Sequence, residues 1–512
     1  TGPKPYNMSG EIIISLVSSS DFILSGVWRI NIISEDEYKG EFDIWMPISE
    51  SLSPTTKFLN ADVYDTLGIP ATVEDVVSVG SYNSSNNTIS TFSGRGSRYS
   101  SIIKPDIVAP GEEVLSSIPR GRFDTKSGTS MATPQVTGIL ALFMQWGMVK
   151  GNDPFLYGDR LKYYILKGAR RNRTDVSYPN QTWGYGEVCA DDAFNLLNTI
   201  SRGDEDKMRQ ETTQKRPQYE SYVVEYTGDI LQEMKDIDYA TVFIVDEEYA
   251  IVTVQKGKEE QLLKEVSDIV YRSVRYRYTL NQTSPVDVAN ITEFHNSKYL
   301  NLTGSGVLVG LVDTGLDYLN TEFINENDTT RILSMWDQTD NDGQNPEGLP
   351  YGTEYTREQI NSAIKAKKDG QDPYNIVKTK DNIGHGTKMA GIIGAKGKNR
   401  EIIGAAPDCE FVVVKLKTDQ QEEMESNGKY NFNKVPVYNG VNIITGIKYL
   451  FNTAKKYGKP MVIYIPLGSN GGPHDGNTII EKYIDSVSKV RGIVIVTGLG
   501  NQGNTDTHTE GV

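Results

Sequence analysis

The chain has 512 residues, 38% of them hydrophobic, enough for two to four domains at roughly 100–200 residues each. A net charge of −15 argues against nucleic acid or an anionic membrane as default partner, because both reward basic patches, and no apolar run approaches the roughly 20 residues that span a bilayer. Cys189 and Cys409 are the only cysteines, so disulfides are not the stabilising device and a disulfide-free setting is favoured.

In chain order, short β-rich runs come first, at 12–17, 28–33 and 42–46, separated by Ser, Gly, Asp and Glu; this is the spacing of an antiparallel β unit. Two further short strands, within 76–80 and 104–111, lead into Gly128-Thr129-Ser130-Met131-Ala132-Thr133-Pro134-Gln135-Val136-Thr137-Gly138 and the apolar run 139–144. That stretch reads as a nucleophile on a turn that opens a buried helix. A Gly-Thr-Ser triplet alone more often marks a loop, so its weight depends on partners elsewhere. A Gly-rich turn at 181–186 and a helix at 190–197 follow, and strands followed by helices predict α/β architecture. Residues 198–218 are polar and charged, a linker or tail. Beyond them the pattern is strand 221–226, helix 229–237, strands 240–245 and 250–254, helix 258–270 and an extended run 273–278. The order β-α-β-β-α-β is that of the small split βαβ fold.

A second strand–helix alternation starts at Gly306. The apolar run 307–312 ends in Asp313-Thr314-Gly315, an acid at the carboxyl end of a buried strand, where α/β sheets place their sites. A simple Asp-x-Gly turn is the plainer reading of that triplet alone; aspartic proteases also use Asp-Thr-Gly, but no second copy is present. Gly384-His385-Gly386-Thr387 sets a histidine between two glycines at the start of an apolar helix, 389–393. The strand 493–496 runs into Gly500-Asn501, and the strand 462–465 into Pro466-Leu467-Gly468. His295, His474 and His508 show no metal-ligand spacing.

Together these motifs resemble the subtilisin-like serine proteases, the subtilases: Gly-Thr-Ser-Met-Ala-x-Pro-x-Val-x-Gly around Ser130, His-Gly-Thr-x-x-Ala-Gly from His385, Asp-Thr-Gly from Asp313 and Gly-Asn at Asn501. The resemblance implies Ser130 as nucleophile, His385 as the base that takes its proton and returns it to the leaving amine, and Asp313 as the holder of the imidazole tautomer. It implies Asn501 as oxyanion donor, and Leu467 and Gly468 as a backbone edge that pairs with substrate, with Pro466 standing where the family has serine. An imidazole suits the base role because its ordinary pKa, about 6.5, leaves the neutral form abundant at neutral pH. The β-α-β-β-α-β segment resembles the subtilase propeptide, a folding template and inhibitor. Self-cleavage is expected between Gln282 and Thr283, the alternative being an uncut linker. No cofactor is required by this chemistry. Subtilases often bind calcium; the carboxylates of the 337–343 loop are the nearest candidates, a solvated acidic loop being the plainer reading, and no ligand set is assigned.

Subtilases run Asp, His, Ser along the chain, whereas here Ser130 comes first. The expected division is an inserted, jelly-roll-like β domain over 1–70, the back half of the catalytic domain over 71–202, a linker over 203–218, the propeptide over 219–282 and the front half over 283–512. A sequence out of biological order, a circular permutant and a window on tandem subtilases all fit; the first two are favoured, with Met208 near the native start. In a tandem array Ser130 and His385 would belong to different sites. A β insertion between the oxyanion asparagine and the nucleophile, with a short propeptide, resembles the Csp germination proteases of clostridial spores. That resemblance implies limited proteolysis of a spore-cortex-lytic zymogen, its own cleaved propeptide as a partner, related pseudoproteases as further partners, and the bacterial spore as location. The alternative is a regulatory subtilase, a pseudoprotease or a propeptide-locked enzyme acting as a binding module. Residues 11–60 are too short for a complete two-sheet jelly roll.

Overall fold

The structure, a computed structural model, describes residues 12–14, 16, 25–33, 40–202, 219–244, 249–272, 288–297, 300–399, 402–418 and 436–511. The chain divides into two compact units, Thr1–Ser201 with Thr283–Val512, and Arg202–Gln282.

The larger unit is built on one mixed sheet drawn from both halves of the chain. Its strands lie side by side in the order Thr353–Thr356, Ile332–Asp337, Glu410–Lys415, Leu308–Asp313, Met461–Ile465, Ile493–Gly498 and Val77–Asn83, with Thr88–Ile89 and Ile107–Pro110 both paired to the last of these. Pairing is parallel except at Thr353–Thr356 and Thr88–Ile89. The join between the halves is the parallel ladder Val496–Gly498 against Val77–Val79.

A parallel sheet buried on both faces needs apolar residues at nearly every position, which is why its strands read as unbroken hydrophobic runs. In Leu308–Asp313, Val309 and Leu311 enter the core on one face while Leu308 and Val312 enter the core on the other. The first face carries the helices Thr129–Met144 and His385–Gly394, the second Gly440–Tyr457 and Ile479–Ser488. Each fully buried Val, Leu or Ile contributes about 1.5–3 kcal/mol. Gly138 lets the first two helices approach: a Cβ there would stand 2.3 Å from that of Ala405, in the turn that follows His385–Gly394.

The smaller unit is a four-stranded antiparallel sheet in the order Ile269–Arg272, Tyr219–Tyr226, Tyr249–Gln255, Ala240–Ile244, with helices Ile230–Glu233 and Glu259–Glu265. Val224, Ile230, Val252, Val254 and Leu262 form its core. Both helices are shorter than the periodicity predicts. Val266 turns to extended backbone, and the β-branched pair Ile269-Val270 joins the sheet rather than prolonging the helix. The helix expected at 190–197 instead continues to Arg202, and 203–218 lies outside the described residues.

The expected inserted β unit forms only in part. Phe42–Trp45 pairs antiparallel with His508–Gly511, but the described residues of 12–17 and 28–33 make no strand. Ile12, Ile13, Trp28 and Ile33 are exposed. A β-rich run becomes a strand only against a partner edge and a covering layer, and among the described residues none of these positions pairs with a strand.

Candidate active site

Three strand and helix ends converge at the carboxyl edge of the sheet. Asp313 closes the wholly buried strand Leu308–Asp313, and His385 opens the helix His385–Gly394, in which every later residue is buried. Ser130 sits in the first turn of the sixteen-residue helix Thr129–Met144 and is the one residue of that helix that is not buried. Two apolar helices thus each bring a single solvent-reaching side chain, a serine and a histidine, to one place. Both line a cavity of about 850 Å³, together with Asn501 from the loop after Ile493–Gly498.

Behind His385, Nδ1 lies 2.9 Å from each carboxylate oxygen of Asp313. The Asp313 side chain is 1% exposed and that of His385 33%, so the carboxylate is shut from water while the imidazole reaches the cavity. Gly386 permits this approach, since a Cβ there would meet the Gly315 carbonyl at 2.0 Å. Burial alone would lower the His385 pKa; the charge and hydrogen bond of Asp313, with a smaller contribution from Asp381, outweigh it and hold the pKa above the ordinary value.

Asp381 is a second buried carboxylate in this framework. It accepts from Thr314 Oγ1 (2.9 Å), the Gly384 N–H (2.7 Å), the Thr387 N–H (2.9 Å) and Thr387 Oγ1 (2.7 Å), and Thr314 Oγ1 in turn accepts from the Gly386 N–H. These bonds satisfy donors at the start of the histidine helix, which have no acceptor within it.

The serine helix is held differently. The Thr129 N–H donates to Asn501 Oδ1 at 3.0 Å; a backbone N–H can only donate, so the asparagine must present its oxygen to the helix and its Nδ2 elsewhere. A Cβ added to Gly128 would stand 3.5 Å from Asn501 Nδ2 and 3.8 Å from the Ser130 nitrogen. Asn501 Oδ1 stands 3.7 Å from the same point, so the missing side chain leaves open a space beside the asparagine amide and the Ser130 nitrogen. Pro134 lacks an N–H, so the Ser130 carbonyl has no helical donor four residues on. The hydroxyl of Tyr464, at the end of a buried strand, donates to it at 3.2 Å.

Leu467 and Gly468 follow that strand at the sheet edge, beside Gly68 and Ile69, and do not line the cavity. Gln282 and Thr283 lie outside the described residues. The acidic loop does not fit a cation. Asp337 accepts from Thr339 and Lys415, Asp340 from the Asp342 N–H and Tyr355, and Asp342 from Lys378, so these carboxylates face donors rather than a common centre. Among the described residues no group of His, Cys, Asp and Glu is arranged to hold a metal, and no helix is long and apolar enough to cross a membrane.

Asp381 and Tyr464 were not picked out by sequence reasoning. An Asp three residues before Gly-His is a helix-capping signal that could have revealed Asp381; no local signal marks Tyr464, whose partner is 334 residues away.

A profile of the subtilase family, peptidase family S8, matches residues 60–186 and 304–511. An intracellular serine protease of Paenibacillus polymyxa is 40% identical over 111 residues, 21% of this chain and 32% of the relative. Subtilisin E of Bacillus subtilis is 42% identical over 79 residues, 15% of this chain and 19% of the relative. The chain thus spans a third or less of these curated relatives. Among solved structures, the Clostridium perfringens CspB protease is 60% identical over 28% of this chain and 31% of its own, with a TM-score of 0.28.

Proposed function

The chain belongs to the subtilase family, and from that premise we propose that it is a serine endopeptidase of the subtilisin type. The observation that carries the reading is the convergence of Ser130, His385 and Asn501 on one cavity, with Asp313 hydrogen-bonded behind the histidine. In the proposed cycle His385 Nε2 takes the Ser130 Oγ proton as Oγ attacks the scissile carbonyl. Asp313 keeps Nδ1 protonated and stabilises the imidazolium, and Asn501 Nδ2 and the Ser130 N–H receive the oxyanion. The imidazolium then gives its proton to the leaving amine, and water repeats the sequence on the acyl-enzyme. These residues are sufficient for that chemistry without a cofactor.

At a finer level, we propose that residues 219–282 are a propeptide cut by the enzyme itself between Gln282 and Thr283. Its β-α-β-β-α-β order and its position before the Asp313 half support this. The β pairing of Phe42–Trp45 with His508–Gly511, between Asn501 and Ser130 in subtilase order, supports the Csp-like reading. On that reading the substrate is a cortex-lytic zymogen, the location is the bacterial spore, and the cleaved propeptide and related pseudoproteases are partners.

The test is the intact mass of the wild type beside Ser130→Ala. A break near Gln282 in the wild type alone is expected. Its absence from both would favour a regulatory subtilase.

A further inference from the structure

On a protein of net charge −15, the cavity beside Ser130 carries the opposite sign. The antiparallel hairpin Val114–Ile118/Arg122–Lys126 forms one wall. Alternate residues of a strand share a face, and Arg122, Asp124 and Lys126 line the cavity while Phe123 and Thr125 do not. At the hairpin tip Arg120 holds φ at +70°, and its N–H is tied to Asp317 Oδ2 at 2.8 Å. Lys380 also lines the cavity, its Nζ 3.7 Å from the centre of the Tyr374 ring.

The carboxylates in the lining do not neutralise these cations. Asp124 is paired with the buried Lys388 at 2.8 Å, Asp317 accepts from the Arg120 and Leu319 N–H groups, and Asp381 is committed to the donors already described. Among the described residues, Arg120, Arg122, Lys126 and Lys380 have no carboxylate at ion-pair distance, and all four are exposed. Four cations held on a concave wall focus a positive potential that an acidic polypeptide, rather than a neutral one, relieves.

Resting on the protease reading, we propose that this wall selects substrates with Asp and Glu immediately after the scissile bond. The side follows from position: Leu467 and Gly468, where the acyl side is expected to pair, do not line this cavity, whereas Ser130, His385 and the basic hairpin do. The leaving segment therefore runs along Arg122 and Lys126.

The experiment uses the full chain and two internally quenched peptides. Both carry Thr-Leu-Asn-Gln before the cut, followed either by three acidic residues or by their amide counterparts. The acidic peptide should show kcat/KM higher by about tenfold at low salt, a ratio that shrinks as ionic strength rises. Arg122→Glu combined with Lys126→Glu should invert it. Equal rates for the two peptides would overturn the inference. Anisotropy binding of the same peptides to Ser130→Ala separates the two layers. Tighter binding of the acidic peptide without turnover in the wild type refutes the protease reading and keeps the basic wall, while equal binding removes the wall's role whatever the turnover.

Discussion

The floor of the cavity and its rim handle charge in opposite ways. On the floor, Asp313 and Asp381 are buried and each faces donors fixed by a strand end or a helix start. On the rim, Arg122 and Lys126 stand in water on a two-stranded hairpin with no carboxylate opposite. A buried carboxylate that loses its partners costs several kcal/mol, so the floor tolerates little change. An exposed cation costs nothing to keep unpaired and is screened by salt, so the rim can be altered without touching the fold. Chemistry is therefore assigned to the rigid part and choice of substrate to the adjustable part.

The contrast is sharpest at Asp313. Asp313→Asn should lower kcat by about 10⁴-fold, through the wrong imidazole tautomer, with little change in KM, as read from peptide hydrolysis. It should also move the acid limb of kcat/KM to lower pH, because the raised His385 pKa depends on that carboxylate. The linked stability runs the other way. A raised folded-state pKa means that the His385–Asp313 contribution is fully present below the unfolded value, about 6.5, and fades as pH rises through the folded one. Wild type should thus gain activity and lose this increment of stability over the same pH window, a crossing that denaturant melts and rates together would reveal.

Asn501→Ala should cost about 10²–10³-fold in kcat, the size known for the equivalent donor of subtilisin itself. Because Asn501 also caps the Thr129 N–H, it should lower the melting temperature as well. Tyr464→Phe keeps the ring and removes only the donor to the Ser130 carbonyl. A loss of about tenfold in kcat, an unchanged KM and about 1–3 kcal/mol of stability are expected for an acceptor left unpaired. If kcat holds while stability falls, Tyr464 is a packing residue and the floor is less unified than described. The rim exchanges at Arg122 and Lys126 come last, changing peptide preference and leaving the melting temperature where it was.

How much of this was legible follows from the range over which each feature is encoded. Ser130, His385, Asp313 and Asn501 each sit at the end of an apolar run inside a short stretch of fixed residue types, so local sequence marks them. Their convergence is carried by the fold. Tyr464 stayed hidden because a tyrosine in a buried strand looks like packing until Pro134 is seen to empty the carbonyl above it. The basic wall stayed hidden because Arg122 and Lys126 are ordinary surface residues until the strand period turns them to one side. The runs at 12–17 and 28–33 show a limit in the other direction: a β-rich run predicts a strand but does not supply its neighbour.

One consequence of the join at Val496–Gly498 and Val77–Val79 concerns how the molecule comes into being. Thr129, at the start of the serine helix, and Asn501, which caps it, are 372 positions apart. Whichever half is made first, its apolar strands and helices stay uncovered until the other half arrives to complete the sheet. The unit at Arg202–Gln282, whose contacts are local, can close meanwhile. Newly made chains should therefore depend on chaperones during that interval, and refolding from denaturant should show a fast phase from the small unit and a slow one from the sheet.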